Sequence, residues 1–278
     1  MEEWRLEFNQ GLLAHLAQFQ SDSGQLNSAI RYALDAPGKR LRPLFVSEAS
    51  SLAGLPDQAS KLLGYAIEMV HVFSLIHDDL PCLDNDDFRR GLPTVHRKFN
   101  EATALLAGDG LIPLAYETFA SLAAFSEPKA FQNALAFFSK SIGIQGMIGG
   151  QTLELEWAEQ KISLSLENLL RIQDLKTGAL FRASVLTPFY LAGRENTPAF
   201  KEALEFASGF GFAFQIADDL EDEIQDQALA AKNILSLLGK EAAIKLALEK
   251  LNSSSLKDHF SPGKQLVKKL ETALPAIK

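Results

Sequence analysis

The sequence predicts an all-α protein with a single domain over residues 1–278. Three observations carry that expectation. Apolar residues recur at three- and four-residue intervals, as at Leu62, Ala66, Met69, Val70, Phe73 and Ile76, which is the period of a helix face. No series of alternating β-branched residues is present to build a sheet. No Pro-, Gly- or Ser-rich linker and no shift in composition divides the chain.

Taken in order, the breaks Ala36-Pro37-Gly38, Gly54-Leu55-Pro56-Asp57, Arg90-Gly91-Leu92-Pro93, Ser126-Glu127-Pro128 and Ser261-Pro262-Gly263 are short and read as helix-to-helix connections. Long helices are predicted over residues 58–79, 163–190 and 198–223. They exceed the usual three or four turns and should cross the core. The second should bend near Lys176-Thr177-Gly178, where glycine loosens the helix. The glycine-dense stretch 145–151 permits close backbone approach.

Composition narrows the function. With 27 Lys and Arg against 35 Asp and Glu, the formal net charge of −8 opposes a polyanion-binding surface, so no nucleic-acid partner is expected. A hydrophobic fraction of 47% excludes disordered and collagen-like chains. The single cysteine, Cys82, can form neither an internal disulfide nor a multi-cysteine metal site, and a cytoplasmic location is expected. Met1-Glu2-Glu3-Trp4-Arg5 lacks a signal-peptide pattern, and no stretch reads as apolar and charge-free enough for stable membrane insertion. The 19 Phe against 4 Tyr and 2 Trp favour a dry core or an apolar pocket.

Chemistry concentrates in two acidic runs. Asp78, Asp79, Asp84, Asp86 and Asp87 fall within ten residues at the end of an apolar helical stretch. Such a cluster repels itself, and its hard oxygens suit Mg²⁺ or Ca²⁺; taken alone it also fits a solvated acidic loop. A second run, Asp218-Asp219-Leu220-Glu221-Asp222, puts Asp218 and Asp222 on one helix face, about 6 Å apart at Cβ. Neither run has the central glycine and terminal glutamate of an EF-hand loop. Facing each other across a helical bundle, the two would hold divalent ions and a polyphosphate. The basic counterparts are Lys39, Arg40 and Arg42, at a turn leading into a helix, and Arg89-Arg90; anions are favoured at such a turn. His71 lies two turns before Asp78, on the same face.

Together these motifs resemble the trans-isoprenyl diphosphate synthases, most closely the bacterial farnesyl diphosphate synthase type, over residues 38–239. Asp78-Asp79-Leu80-Pro81-Cys82-Leu83-Asp84 resembles the first aspartate-rich motif in its longer form and Asp218-Asp219-Leu220-Glu221-Asp222 the second, with Gly38-Lys39-Arg40, Arg89-Arg90-Gly91 and Lys176-Thr177-Gly178 in family order. The resemblance implies the isoprenoid synthase fold, a homodimeric bundle of long helices around a deep central cavity. It implies Mg²⁺, with Mn²⁺ as a substitute, on Asp78, Asp84, Asp218 and Asp222, with Asp79 and Asp219 alongside. Arg89 and Lys176 would hold the allylic diphosphate. Lys39, Arg42, His71 and Arg90 would hold isopentenyl diphosphate, and Thr177 and Gln215 would stand near the reacting carbons.

By the same resemblance Phe73, with Ser74 beside it, sets product length, and the implied product is farnesyl diphosphate. Residues 223–231 are shorter than the family's loop and carry no glycine, so Lys232 would stand in for its lysine. The alternatives are a geranylgeranyl diphosphate synthase, a class I terpene cyclase, which has one diphosphate to bind, and a non-catalytic subunit. The intact aspartates oppose the last.

Overall fold

The computed structural model describes residues 2–160, 165–225 and 234–274. Lys232 and the loop around it lie outside these, as does the side chain of Asp222. The described residues are helical almost throughout and fall into two compact units, one of residues 1–47 and 56–125, the other of residues 48–55 and 126–278.

The first unit contains α1 (Glu2–Leu16), α2 (Gly24–Asp35), the start of α3 (Leu41–Ala53), α4 (Asp57–Asp78), α5 (Val95–Lys98) and α6 (Glu101–Ala120). Ser23 and Asn100 cap α2 and α6 by accepting from Leu26 N and Thr103 N, each satisfying an otherwise unpaired N–H. Helix α4 packs along α6, burying Leu63, Ala66, Ile67, Met69, Val70, Phe73 and Ile76 against a core that includes Leu111, Ala115 and Phe119. This corrects one expectation: α4 is long and apolar enough to cross a membrane, but 72% of that stretch is buried inside the protein. The break at Arg90-Gly91 is also more than a connection. It is the turn of a small hairpin, β1 (Phe88–Arg89) antiparallel to β2 (Leu92–Pro93).

The second unit contains residues 48–55 at the end of α3, then α7 (Pro128–Ile142), α8 (Met147–Gln160), α9 (Leu166–Gln173), α10 (Ala179–Leu191), α11 (Pro198–Gln225), α12 (Ile234–Leu238), α13 (Lys240–Asn252) and α14 (Ser261–Ala273). Between α9 and α10 the backbone widens into a π-helical turn, Asp174–Gly178, so the predicted long helix is continuous and irregular where Lys176-Thr177-Gly178 stands. Ser261-Pro262-Gly263 proves to be the first turn of α14, where proline is favoured because its missing N–H has no partner to lose. About half of the Phe residues fill cores, while Phe88 on the hairpin is exposed. Phe206 stacks on Phe260 at 4.4 Å, Phe181 meets Phe210 edge-on at 5.0 Å, and all four are fully buried.

Candidate active site

Asp78 ends α4 and Asp79 caps it. Carboxylates there face the negative end of the helix dipole, so a cation is favoured beside them. Asp79 has one: Arg89 reaches its Oδ1 through Nε at 2.6 Å and a terminal nitrogen at 2.5 Å, and reaches Asp86 at 3.3 Å. Burial pushes the Asp79 carboxyl above its ordinary value, with the Arg89 hydrogen bond and charge opposing. Burial also works against the Arg89 charge, but Asp79, Asp86 and Asp78 carry that guanidinium above its ordinary value. The chain then folds back, with Asp84 N–H donating to Asp78 O at 2.9 Å. One closed turn thus joins the first and last aspartates of the motif, Asp78 half-buried and Asp84 exposed.

The hairpin that follows turns through Arg90 and Gly91, with φ of 55° and 79°. Two central residues with positive φ make a type I′ turn, and placing an arginine in the first position costs about 1–2 kcal/mol. The guanidinium of Arg90 lies on Gly38, where a Cβ would stand 2.5 Å from its nitrogen, and donates to Pro37 O at 2.8 Å. Gly38 therefore makes room for Arg90, a role that its place in the basic motif does not reveal.

The predicted basic residues separate into two kinds. Arg40 is buried and structural: it pairs with Glu68 at 2.5 Å and donates to Asn9, Leu34 O and Ala36 O. Lys39 is exposed. Arg42 stands 3.4 Å from His71 Nε2. Burial pushes His71 well below its ordinary value, and the charges of Arg42, Arg90, Arg40 and Arg89 push the same way. Arg42 and Arg90 thus put positive charge near His71, while the buried charge of Arg40 is neutralised by Glu68.

Phe73 and Ser74 point differently. Phe73, 4% exposed, meets the His77 ring edge-on at 5.9 Å. His77 rests on α6, donating to Leu105 O at 3.1 Å, where a Cβ on Gly108 would lie 2.1 Å from Nε2. Ser74 is one turn before Asp78 and donates to His71 O at 2.9 Å.

In the second unit, Lys176 sits in the π-turn and pairs with Glu154 of α8, a partner that the sequence did not single out. Gly150 permits this: its Cβ would lie 2.4 Å from Lys176 N. Thr177 Oγ1 donates to Gln215 Oε1 at 3.5 Å, and Gln215 Nε2 donates to Asp219 Oδ1 at 3.3 Å. Asp219 is buried and Asp218 half-buried. One network thus links three residues predicted for the site.

The carboxylate donors fit a hard cation. Asp78 and Asp84 share one closed turn, and Mg²⁺ binds through one or two carboxylates while keeping waters. Among the described residues no group of three or more His, Cys, Asp or Glu gathers tightly enough to cage an ion without other ligands.

The family described as polyprenyl synthetase matches residues 23–273. The farnesyl diphosphate synthase of Escherichia coli is 36% identical over 259 residues, 88% of this chain and 86% of its own. A chloroplastic geranylgeranyl pyrophosphate synthase of Capsicum annuum is 38% identical over 235 residues, 81% of this chain; this chain spans 63% of that protein's length. Among solved structures, a geranyltransferase of Helicobacter pylori complexed with magnesium and isoprenyl diphosphate superposes with a TM-score of 0.77 at 30% identity, covering 96% of this chain and 94% of that one. Its helices, its motifs and these relatives place the chain in the polyprenyl synthetase family.

Proposed function

We propose that this protein is a Mg²⁺-dependent prenyltransferase, which adds isopentenyl diphosphate head-to-tail to dimethylallyl and geranyl diphosphates and releases farnesyl diphosphate and diphosphate. The observation that carries the reading is a second basic group apart from the Asp79–Arg89 pair: Arg42 stands 3.4 Å from His71 Nε2, and Arg90 is held on Gly38 by its bond to Pro37 O. Such a group suits a second diphosphate, which a cyclase would not bring.

In this reading Asp78, Asp84, Asp218 and Asp222 hold magnesium. When bound, the ion supplies Lewis-acid neutralisation of the leaving diphosphate. Lys176 and Arg89 orient the allylic diphosphate, while Lys39, Arg42, His71 and Arg90 hold the isopentenyl one. Thr177 and Gln215 direct their dipoles at the charge that develops on the allylic carbons. The isopentenyl double bond attacks there, and the proton it loses passes to the released diphosphate. A homodimer belongs to the same reading.

Farnesyl as product rests on Phe73 limiting elongation. The packing of Phe73, buried and edge-on to the His77 ring, supports a second reading, a geranylgeranyl product, in which the ring is core packing and does not limit elongation. Incubation with isopentenyl and geranyl diphosphates plus Mg²⁺, followed by mass spectrometry of the extracted product, separates the two. Farnesyl diphosphate supports the first reading and geranylgeranyl diphosphate the second, whereas a cyclic hydrocarbon contradicts both.

A further inference from the structure

Two buried polar residues behind the arginine hairpin have no part in the proposed chemistry. Thr94 is 2% exposed and His96 6%. The Thr94 hydroxyl donates to Asp86 O at 2.8 Å, and its backbone N–H donates to Asp87 O at 3.0 Å. Its Oγ1 lies 3.1 Å from His96 Nδ1. A hydroxyl has one proton. With that proton given to the Asp86 carbonyl, the imidazole supplies its own at Nδ1, and Nε2 is left as a buried acceptor with no hydrogen-bond partner.

A buried acceptor of that kind costs stability, which an apolar residue of similar size would avoid. The arrangement closes the base of a strained hairpin. Asp86 and Asp87 enter it, Thr94 leaves it, and Arg90 is held between them at φ 55°. On the outside Tyr32 donates to Pro93 O at 2.7 Å and Arg97 pairs with Asp87. A left-handed arginine persists only where its surroundings over-determine it.

We propose that Thr94 and His96 are positioning residues of the diphosphate site. They clamp the two ends of the hairpin so that Arg89 and Arg90 present their guanidinium groups at a fixed spacing. The inference rests on the reading that Arg89 and Arg90 bind substrate diphosphates.

The test compares Thr94→Val with Thr94→Ser, and His96→Leu with His96→Asn, whose amide nitrogen can donate where Nδ1 does. Thr94→Val and His96→Leu are each expected to raise KM for both diphosphate substrates about tenfold or more, with kcat at saturation changed by less than about threefold. The Ser and Asn variants should return KM to within about threefold of the unmodified protein. If Thr94→Val does not fold, the His96 pair carries the same test. Folded Val and Leu variants with both KM values unchanged would overturn the proposal. Arg89→Ala and Arg90→Ala run alongside; if neither raises KM, the fault lies in the diphosphate reading itself.

Discussion

Asp79 and Arg89 neutralise each other at the end of α4, with the guanidinium 2.5 Å from a carboxylate that is 3% exposed. The pair separates two neighbouring aspartates by role. Asp78 is left half-buried on the turn shared with Asp84. Asp78→Ala is therefore expected to lower kcat by at least about 100-fold with little loss of stability, as for removal of a metal ligand. Asp79→Ala strands a partly buried guanidinium and should cost ~1–3 kcal/mol, below the full value for a buried pair because Arg89 retains some exposure. Chemical denaturation and steady-state kinetics on both variants check this, and excess chelator should abolish turnover of the unmodified protein.

Arg90 lies on Gly38, so a methyl group at residue 38 displaces the end of that side chain. Gly38→Ala, like Lys39→Ala or Arg42→Ala, should raise KM for isopentenyl diphosphate and leave the allylic KM nearly unchanged, because the lost interaction is uniform binding. A rise in the allylic KM alone would mean that the two diphosphate sites are exchanged.

His71 sets a direction for pH dependence. Its folded value lies well below 6.5, held down by burial and then by the surrounding arginines, while in the unfolded chain it titrates near 6.5. As pH falls through 6.5 the unfolded chain takes up a proton that the folded chain refuses, so stability is full above that pH and declines below it. Each unit of depression is worth about 1.4 kcal/mol. Denaturation midpoints should fall between pH 7 and 5.5, with a smaller fall in His71→Gln. His15, lowered by burial, adds a slope of the same sign in both proteins.

Phe73→Ala should lengthen the product from farnesyl to geranylgeranyl or beyond. Truncation of a buried Phe costs ~3–5 kcal/mol, so thermal denaturation must first confirm that the variant is folded. A folded variant that still stops at farnesyl places the limit elsewhere.

Much of this was legible in the sequence because it is local. The three-to-four-residue spacing from Leu62 to Ile76 gave α4 to within a residue at each end, and the glycine-dense stretch 145–151 anticipated a close backbone approach, found where Gly150 meets Lys176. The hairpin was missed because Phe88–Arg89 and Leu92–Pro93 are each two residues long, too short for an alternating pattern to register. Partners distant in sequence were also invisible. Nothing local to Arg40 distinguishes it from Lys39 or Arg42, and only folding buries it against Glu68. Glu154, 22 residues from Lys176, and Gly38, 52 from Arg90, gain their roles from tertiary packing alone.

The stoichiometry of diphosphate release distinguishes a condensing enzyme from a cyclase and from a non-catalytic subunit. With geranyl and isopentenyl diphosphates and Mg²⁺, diphosphate release and isopentenyl consumption should rise together, one for one, and neither should occur when isopentenyl diphosphate or the metal is withheld. Diphosphate released from geranyl diphosphate alone, with no isopentenyl consumed, would contradict a condensing enzyme, and no release under any of these conditions would contradict catalysis by this chain.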